Sequence, residues 1–313
     1  TVTGGEGCKS RPSVIDTVIE AIRIHHICRQ SFVLAIGGGA VLDAVGYAAA
    51  NAHRGVRLIR FPTTVLAQND AGIGVKNGIN AMGRKNFLGT FAPPYAVIND
   101  SAFLDTLYPR DRRSGIAEAV KMALIKDRPF FDFLYARRHD LALFERHAEA
   151  EMIYRCAALH MDHIASAGDP FEMGSARPLD FGHWSAHKLE EMTGGRLCHG
   201  EAVAIGMALD SLYSWHVGLI TKNELQQIFS LLEDLALPLY HPALTRLDIP
   251  VALVEFQEHL GGELCITLLS SIGCRKEVQW IDTELMMLCI DELERQFGTR
   301  RRSPAQQGRN RVG

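Results

Sequence analysis

The sequence predicts an α/β N-terminal domain over residues 1–107, an all-α C-terminal domain over residues 108–298, and a disordered basic tail over 299–313. Three observations carry this reading. First, the apolar run Ser31-Phe32-Val33-Leu34-Ala35-Ile36 ends in Gly37-Gly38-Gly39, and a small-residue helical stretch follows. Strand, glycine turn and helix form the arrangement that turns backbone amides toward an anion. Second, from about Asp111 the pattern becomes nearly continuous helical spacing. Third, residues 178–207, PLDFGHWSAHKLEEMTGGRLCHGEAVAIGM, gather His183, His187 and His199, with Glu201 close behind.

The chain has 313 residues, enough to bury a good core in two domains. Hydrophobic residues make up 47% and charged residues 22%, an ordinary globular balance. A net charge of −3 argues against a general nucleic-acid or membrane binder. No apolar run approaches the roughly 20 residues that cross a bilayer. The opening TVTGGEGCKS has no apolar h-region, so it does not read as a signal peptide. Seven scattered cysteines without a CxxC pair suit reduced thiols in a cytoplasm.

Residues 1–6 read as a loop, and 13–28 have helical spacing with Val14, Val18 and Ile22 on one side. The run 31–36 reads as a buried parallel strand and 40–50 as a helix. Residues 56–61, VRLIRF, are the next strand. Pro62 stops it, and Thr63 and Thr64 place hydroxyls at its C-terminal end, where ligands of open α/β sheets bind. Ala96-Val97-Ile98 is a further short strand. Between them, 68–80 and 83–86 are rich in Gly and Asn and carry Lys76, Arg84 and Lys85. This reads either as a solvated surface loop or as a loop over a phosphorylated substrate. Helices are expected over 114–125, 130–143, 149–164, 212–236, 251–259 and 283–297, while 263–270 is a strand or a buried run.

His183 and His187 are four apart and share a helix face. His199 follows Thr193-Gly194-Gly195 and opens a second apolar helical run. Two facing helix starts would converge imidazoles, the commonest transition-metal ligands. Ordinary hydrogen-bonded histidines at helix ends are the alternative. A metal site requires a carboxylate or a further imidazole from elsewhere. Glu118 and Lys121, three apart on a helix of apolar neighbours, are either a surface pair or a buried carboxylate in need of a partner.

Together GGGAVLDAVGYAA, RGVRLIRFPTTVLAQNDAGIGVKNGIN, GRKNFLGTF, GIAEAVKMALI, LDFGHWSAHKLE and HGEAVAIGM resemble the dehydroquinate synthase family of sugar phosphate cyclases. The resemblance runs from about Gly4 to Leu219. It implies a nucleotide-binding α/β domain, a helical metal-binding domain and an active site in the cleft between them. It implies that Glu118, His183 and His199 ligate a divalent metal, zinc or cobalt. By the same resemblance Glu6, Lys9, Gly37, Gly38, Gly39, Asp43, Thr63, Thr64 and Asp70 contact NAD. Lys76, Lys85, Asn86 and Lys121 line the cofactor and substrate cleft, and His187 lies near the substrate. The implied reaction is transient oxidation of a seven-carbon sugar phosphate by bound NAD, phosphate elimination, re-reduction and intramolecular aldol closure. The implied partner is thus a small phosphorylated sugar, with no nucleic acid and no membrane; the apolar helices allow a homodimer.

The chain also departs from the family. Asp180 stands where dehydroquinate synthases have Asn, as in the relatives that cyclise sedoheptulose 7-phosphate, yet those relatives lack an equivalent of His187. His160 replaces the Lys of the helix preceding the metal histidines, and Gly168-Asp169-Pro170-Phe171-Glu172 replaces a DERE stretch. Arg177 lies one residue nearer the FGH motif than the family's substrate arginine. Glu258-His259-Leu260-Gly261-Gly262 occupies the place of a late Lys-bearing loop. The chain begins about one helix before the GGG turn, where the family has a further strand–helix–strand that donates cofactor contacts. The expected activity is therefore a 3-dehydroquinate synthase-like cyclase with Lys121, His187, Asp180, Lys76 and Asn86 as its catalytic residues. A sedoheptulose 7-phosphate cyclase, a metal-dependent polyol dehydrogenase and a non-catalytic family member are the alternatives.

Overall fold

The computed structural model describes residues 1–166, 171 and 177–298. After a short 3-10 turn at Glu6–Ser10, the N-terminal half runs α1 (Pro12–Ile24), β1 (Phe32–Gly37), α2 (Gly39–Asn51), β2 (Arg57–Pro62), β3 (Lys76–Ala81), β4 (Arg84–Phe91) and β5 (Ala96–Val97). Strands β1, β2 and β5 form a parallel sheet in that order, with Leu34 opposite Ile59 and Ile59 opposite Ala96. On one face, Ala35 and Leu58 pack with Val41, Leu42, Val45 and Ala48 of α2 and with Val14 and Ile15 of α1. Gly46 has no side chain because Asn77 fills that space, so β3 lies against α2. The strand at 31–36 is parallel as expected but buried on one face only. Phe32, Leu34 and Ile36 alternate onto the other face, where they are exposed.

The segment read as a Gly/Asn loop is different. Residues Ala67–Ala71 form a π turn, and β3 and β4 pair as an antiparallel hairpin. Met82 and Gly83 both have positive φ, 51° and 78°, which is the geometry of a two-residue hairpin turn. Buried Arg60 of β2 anchors the approach. Its Nη1 donates to the carbonyls of Gly72 and Gly74 at 3.0 and 2.7 Å, and its Nη2 to Asn77 Oδ1 at 2.7 Å.

The C-terminal half contains α3 (Pro109–Ser114), α4 (Ile116–Lys126), α5 (Arg128–Ala136), α6 (Arg138–Ala142), α7 (Arg146–Ser166), α8 (His183–Met192), α9 (His199–His216), α10 (Lys222–Asp234), α11 (Ile249–Leu260), β6 (Ile266–Ser271), β7 (Cys274–Val278) and α12 (Thr283–Phe297). Helix α9 is buried on nearly every side, from Ala202 to Ser214, which is the pattern of a central core helix. Around it pack α4, α8, α10 and α12. The expected helix over 130–143 is split by Arg137. That over 212–236 is interrupted at Gly218 (φ 74°) and restarted by a Thr221/Glu224 capping box. The half is helical but not all-α, because β6 and β7 form an antiparallel hairpin. Residues 263–270 looked ambiguous since four consecutive positions from Ile266 to Leu269 are buried, which hides the strand alternation. The replaced stretch at 168–172, apart from Phe171, and the tail over 299–313 lie outside the described residues, as does the side chain of His259. Among the described residues, no helix is long and apolar enough to cross a membrane.

Candidate active site

Three helices bring Glu118, His183 and His199 together. Glu118 lies in the first turn of α4, and the two histidines open α8 and α9. Nε2 of His183 is 3.7 Å and Nε2 of His199 is 3.4 Å from Glu118 Oε1. One donor atom from each residue falls within 4.8 Å of the others. The far nitrogens are engaged elsewhere: His183 Nδ1 lies 3.1 Å from the Phe181 carbonyl, and His199 Nδ1 3.4 Å from Glu190 Oε2. Such contacts on Nδ1 leave Nε2 to face an ion. Glu118 is fully buried, and among the described residues neither of its oxygens has an aligned hydrogen bond. Two imidazoles and one buried carboxylate form a donor set that suits zinc or cobalt with an open coordination position.

The surrounding charges are dense. Burial works to raise the Glu118 carboxyl, but Lys121, His199 and His183 hold it well below the usual carboxylate range. Lys121 is itself nearly inaccessible and forms an ion pair with Glu118. Burial would neutralise this ammonium, yet Glu118, Asp70 and Asp180 keep it charged. Asp180 is depressed against burial by Lys76, His183, His187 and Lys121. Burial, reinforced by His183 and His199, pushes His187 down to about 3 and so keeps it neutral. The centroids of the His183 and His187 rings are 5.4 Å apart.

A cleft of about 600 Å³ opens beside this cluster. Glu6, Lys9, Gly39, Asp43 and Asp70 line it from the N-terminal half, Lys85 and Asn86 from the β3–β4 hairpin, and Trp184, His187, Glu190 and His199 from the helical half. Lys9 Nζ donates to Asp43 Oδ2 at 2.6 Å. Gly37, Gly38, Thr63, Thr64, Lys76, Glu118, Lys121, Asp180 and His183 are not among the residues lining this cavity. The three glycines do form the β1–α2 turn. No side chain caps α2 at Gly38, and the Thr63 N–H donates to the Gly37 carbonyl at 3.0 Å. Thr64 Oγ1 accepts from the Ala67 N–H at 3.1 Å.

Two residues, Glu190 and Asp210, and one contact, that of His160 with Asp70, escape the sequence reading. Glu190, buried at 6% exposure, bridges His199 and Lys85, whose Nζ is 3.1 Å from its Oε1. Its position three residues after His187 and seven after His183 put it on the same helix face, and that was the available signal. His160, which replaces the family lysine, sits 3.1 Å from Asp70 Oδ1. Asp210 is fully buried in α9, and burial raises its carboxyl to about 7 against the hydrogen bonds from Trp184 and Gly182.

Residues 1–114 match the family model for the 3-dehydroquinate synthase N-terminal domain, and residues 115–257 match that for the C-terminal domain. The chain belongs to the 3-dehydroquinate synthase family. It is 37% identical over 268 residues to the 3-dehydroquinate synthase of Dichelobacter nodosus, covering 83% of this chain and 69% of that protein. It is 34% identical over 309 residues to the 2-epi-5-epi-valiolone synthase of Streptomyces glaucescens, covering 96% and 78%. Among solved structures it resembles ValA, the 2-epi-5-epi-valiolone synthase of Streptomyces hygroscopicus subsp. jinggangensis, with NAD+ and Zn2+ bound. There the TM-score is 0.89 at 32% identity, covering 94% and 82%. The boundary between the two family models, at residue 114, falls where α3 meets α4, immediately before the helix that carries Glu118.

Proposed function

We propose that this chain is an NAD- and metal-dependent sugar phosphate cyclase of the 3-dehydroquinate synthase type, acting on a seven-carbon sugar phosphate. The observation that carries the reading is the convergence of Glu118, His183 and His199 beside a cleft lined from both halves. Glu118, His183 and His199 hold the divalent ion, and the open amides of the β1–α2 turn receive the pyrophosphate of NAD. When bound, the ion lowers the pKa of a substrate hydroxyl, and NAD takes and returns a hydride. Lys121 keeps Glu118 ionised and so ready to ligate. His187, neutral and facing the cleft, can accept a hydrogen bond from a bound hydroxyl and so help orient it. Asp180, kept ionised, lies within electrostatic reach of His187 and Lys121. Arg84 and Lys85 at the hairpin end supply cations for the substrate phosphate. A cytoplasmic setting suits the seven unpaired thiols, and the apolar helices allow a homodimer.

A second reading assigns sedoheptulose 7-phosphate as the substrate. It is favoured by Asp180 and by the similarity to two valiolone synthases. The deciding assay is inorganic phosphate release from 3-deoxy-arabino-heptulosonate 7-phosphate and from sedoheptulose 7-phosphate, side by side, with saturating NAD and zinc. Release from one of them, abolished in Glu118→Ala and His199→Ala, is the expected result. Steady NADH accumulation with a polyol and no phosphate would mark a dehydrogenase instead. No release from either sugar under saturating conditions would mark a non-catalytic member.

A further inference from the structure

Asp210 is a carboxylate in the middle of the most buried helix, and neither the family motifs nor the reaction uses it. Its two oxygens take two donors from one short segment. Oδ2 accepts the Gly182 N–H at 3.1 Å, and Oδ1 accepts the Trp184 indole N–H at 2.9 Å. These two residues flank His183. Gly182 is the left-handed residue that caps α8, with φ 76° and ψ −5°. It is also held from its other side. Gly206, one turn before Asp210 on α9, has no side chain because the Gly182 carbonyl occupies that space, and a Cβ on Gly182 itself would lie 2.7 Å from the Met207 nitrogen. The His183 ring completes the arrangement through its Nδ1 contact with Phe181 at 3.1 Å. Residues 181, 182 and 184 are therefore each tied down, and His183 stands between them.

We infer that Asp210 is a positioning residue for the metal centre: it fixes the Gly182–Trp184 turn and so sets the direction of His183. The same helix presents His199 at its N-terminus, so α9 supplies one imidazole directly and orients the other through Asp210. The second bond has a further consequence. Trp184 lines the cleft, and an indole whose N–H is bound to Asp210 cannot rotate into that space. A carboxylate suits the position because two N–H donors point at one buried site. An amide side chain there offers a single acceptor oxygen and turns its NH2 toward the other donor.

This inference rests on the metal-centre reading, and the test separates the two. The full chain, freed of metal, is titrated with zinc against a chromogenic chelator, with folding followed by far-UV circular dichroism. The parent is expected to bind zinc and Glu118→Ala to lose it; failure of either result removes the metal reading itself. Asp210→Asn is expected to bind about 10-fold more weakly, as happens when the groups that orient a ligand are disturbed. Asp210→Asn combined with Trp184→Phe removes the competing donor and lets the amide oxygen serve Gly182, so affinity returns to within about threefold of the parent. A structural role without positioning would not produce this rescue. Zinc affinity of Asp210→Asn within about twofold of the parent overturns the inference, as does a double variant as weak as the single one. Should Asp210→Asn not fold, the double variant decides: folded and within about threefold of the parent supports the inference, folded and about 10-fold weaker overturns it.

Discussion

At Glu118 a fully buried carboxylate meets one ammonium and two imidazoles, and the balance between burial and those neighbours fixes its ionisation. Lys121 lies within reach of Glu118, Asp70 and Asp180, so its charge offsets more than one anion. Replacing it by Met removes the ammonium partner of Glu118 in the metal-free protein and leaves it only the two imidazoles, at a cost of up to about 3–5 kcal/mol, the usual penalty for removing one partner of a buried pair. A bound divalent ion would supply the missing charge. Urea unfolding of Lys121→Met should therefore show a large loss without zinc and a markedly smaller one with it. Equal stability of parent and variant without metal would contradict the buried pair. Spacing and apolar neighbours made Glu118 visible in the sequence as a carboxylate in need of a partner. Its pairing with His183 and His199 was legible only through the family resemblance. Asp210 was not legible, because its role depends on how α8 crosses α9, and that contact joins positions 26 to 28 residues apart. Glu190 carried only the signal of its helix face, since one of its partners, Lys85, lies 105 residues away in the chain.

Element by element, sequence patterning located the helices better than the hairpin. Residues 283–297 were expected to be helical and are, because apolar positions recur at helical spacing behind an Asp282 cap. Strands β3 and β4 were hidden for a physical reason: Asn77, Gly78, Asn80, Asn86 and Gly89, residues of low strand propensity, interrupt their apolar pattern, and tertiary contacts with Arg60 and α2 hold β3 in place. The hairpin end is then fastened across the cleft by Lys85 to Glu190 and by Arg84 to Glu258, the latter a long exposed pair. Burial works to raise Glu190, but His199 and Lys85 outweigh it and bring the carboxyl down to about 2 from 4.5. A carboxyl depressed in the folded state stabilises the protein above its unfolded value, and that contribution disappears as pH falls through the folded value. In the metal-free protein, stability should therefore decline between pH 4.5 and 2 by a few kcal/mol more in the parent than in Glu190→Gln. Thermal melts of both across this range would show it, and parallel curves would mean that Glu190 is not held by these cations.

For the whole molecule, the division of labour between the halves has a consequence for ligand-linked stability. The β1–α2 turn and the Lys9–Asp43 pair belong to the N-terminal core, whereas the Glu118–His183–His199 centre is built inside the helical core. If the glycine turn receives the pyrophosphate, NAD at about 100 times its dissociation constant adds roughly 2.7 kcal/mol of stability. A side chain at Gly38 interferes directly with that role. Its Cβ would lie 3.0 Å from Thr64 Cγ2, and a branched residue would also stand over the uncapped amides of α2. Gly38 has φ −75°, so backbone strain does not complicate the substitution. Gly38→Val is therefore expected to fold, to lose the rise in melting temperature on adding NAD, and to keep the rise on adding zinc. The retained zinc response separates a local block at the turn from general damage, because Gly38 precedes α2 in the N-terminal half whereas the metal-facing residues lie on α4, α8 and α9. A Gly38→Val protein that still responds to NAD as the parent does would show that the cofactor sits elsewhere in the cleft.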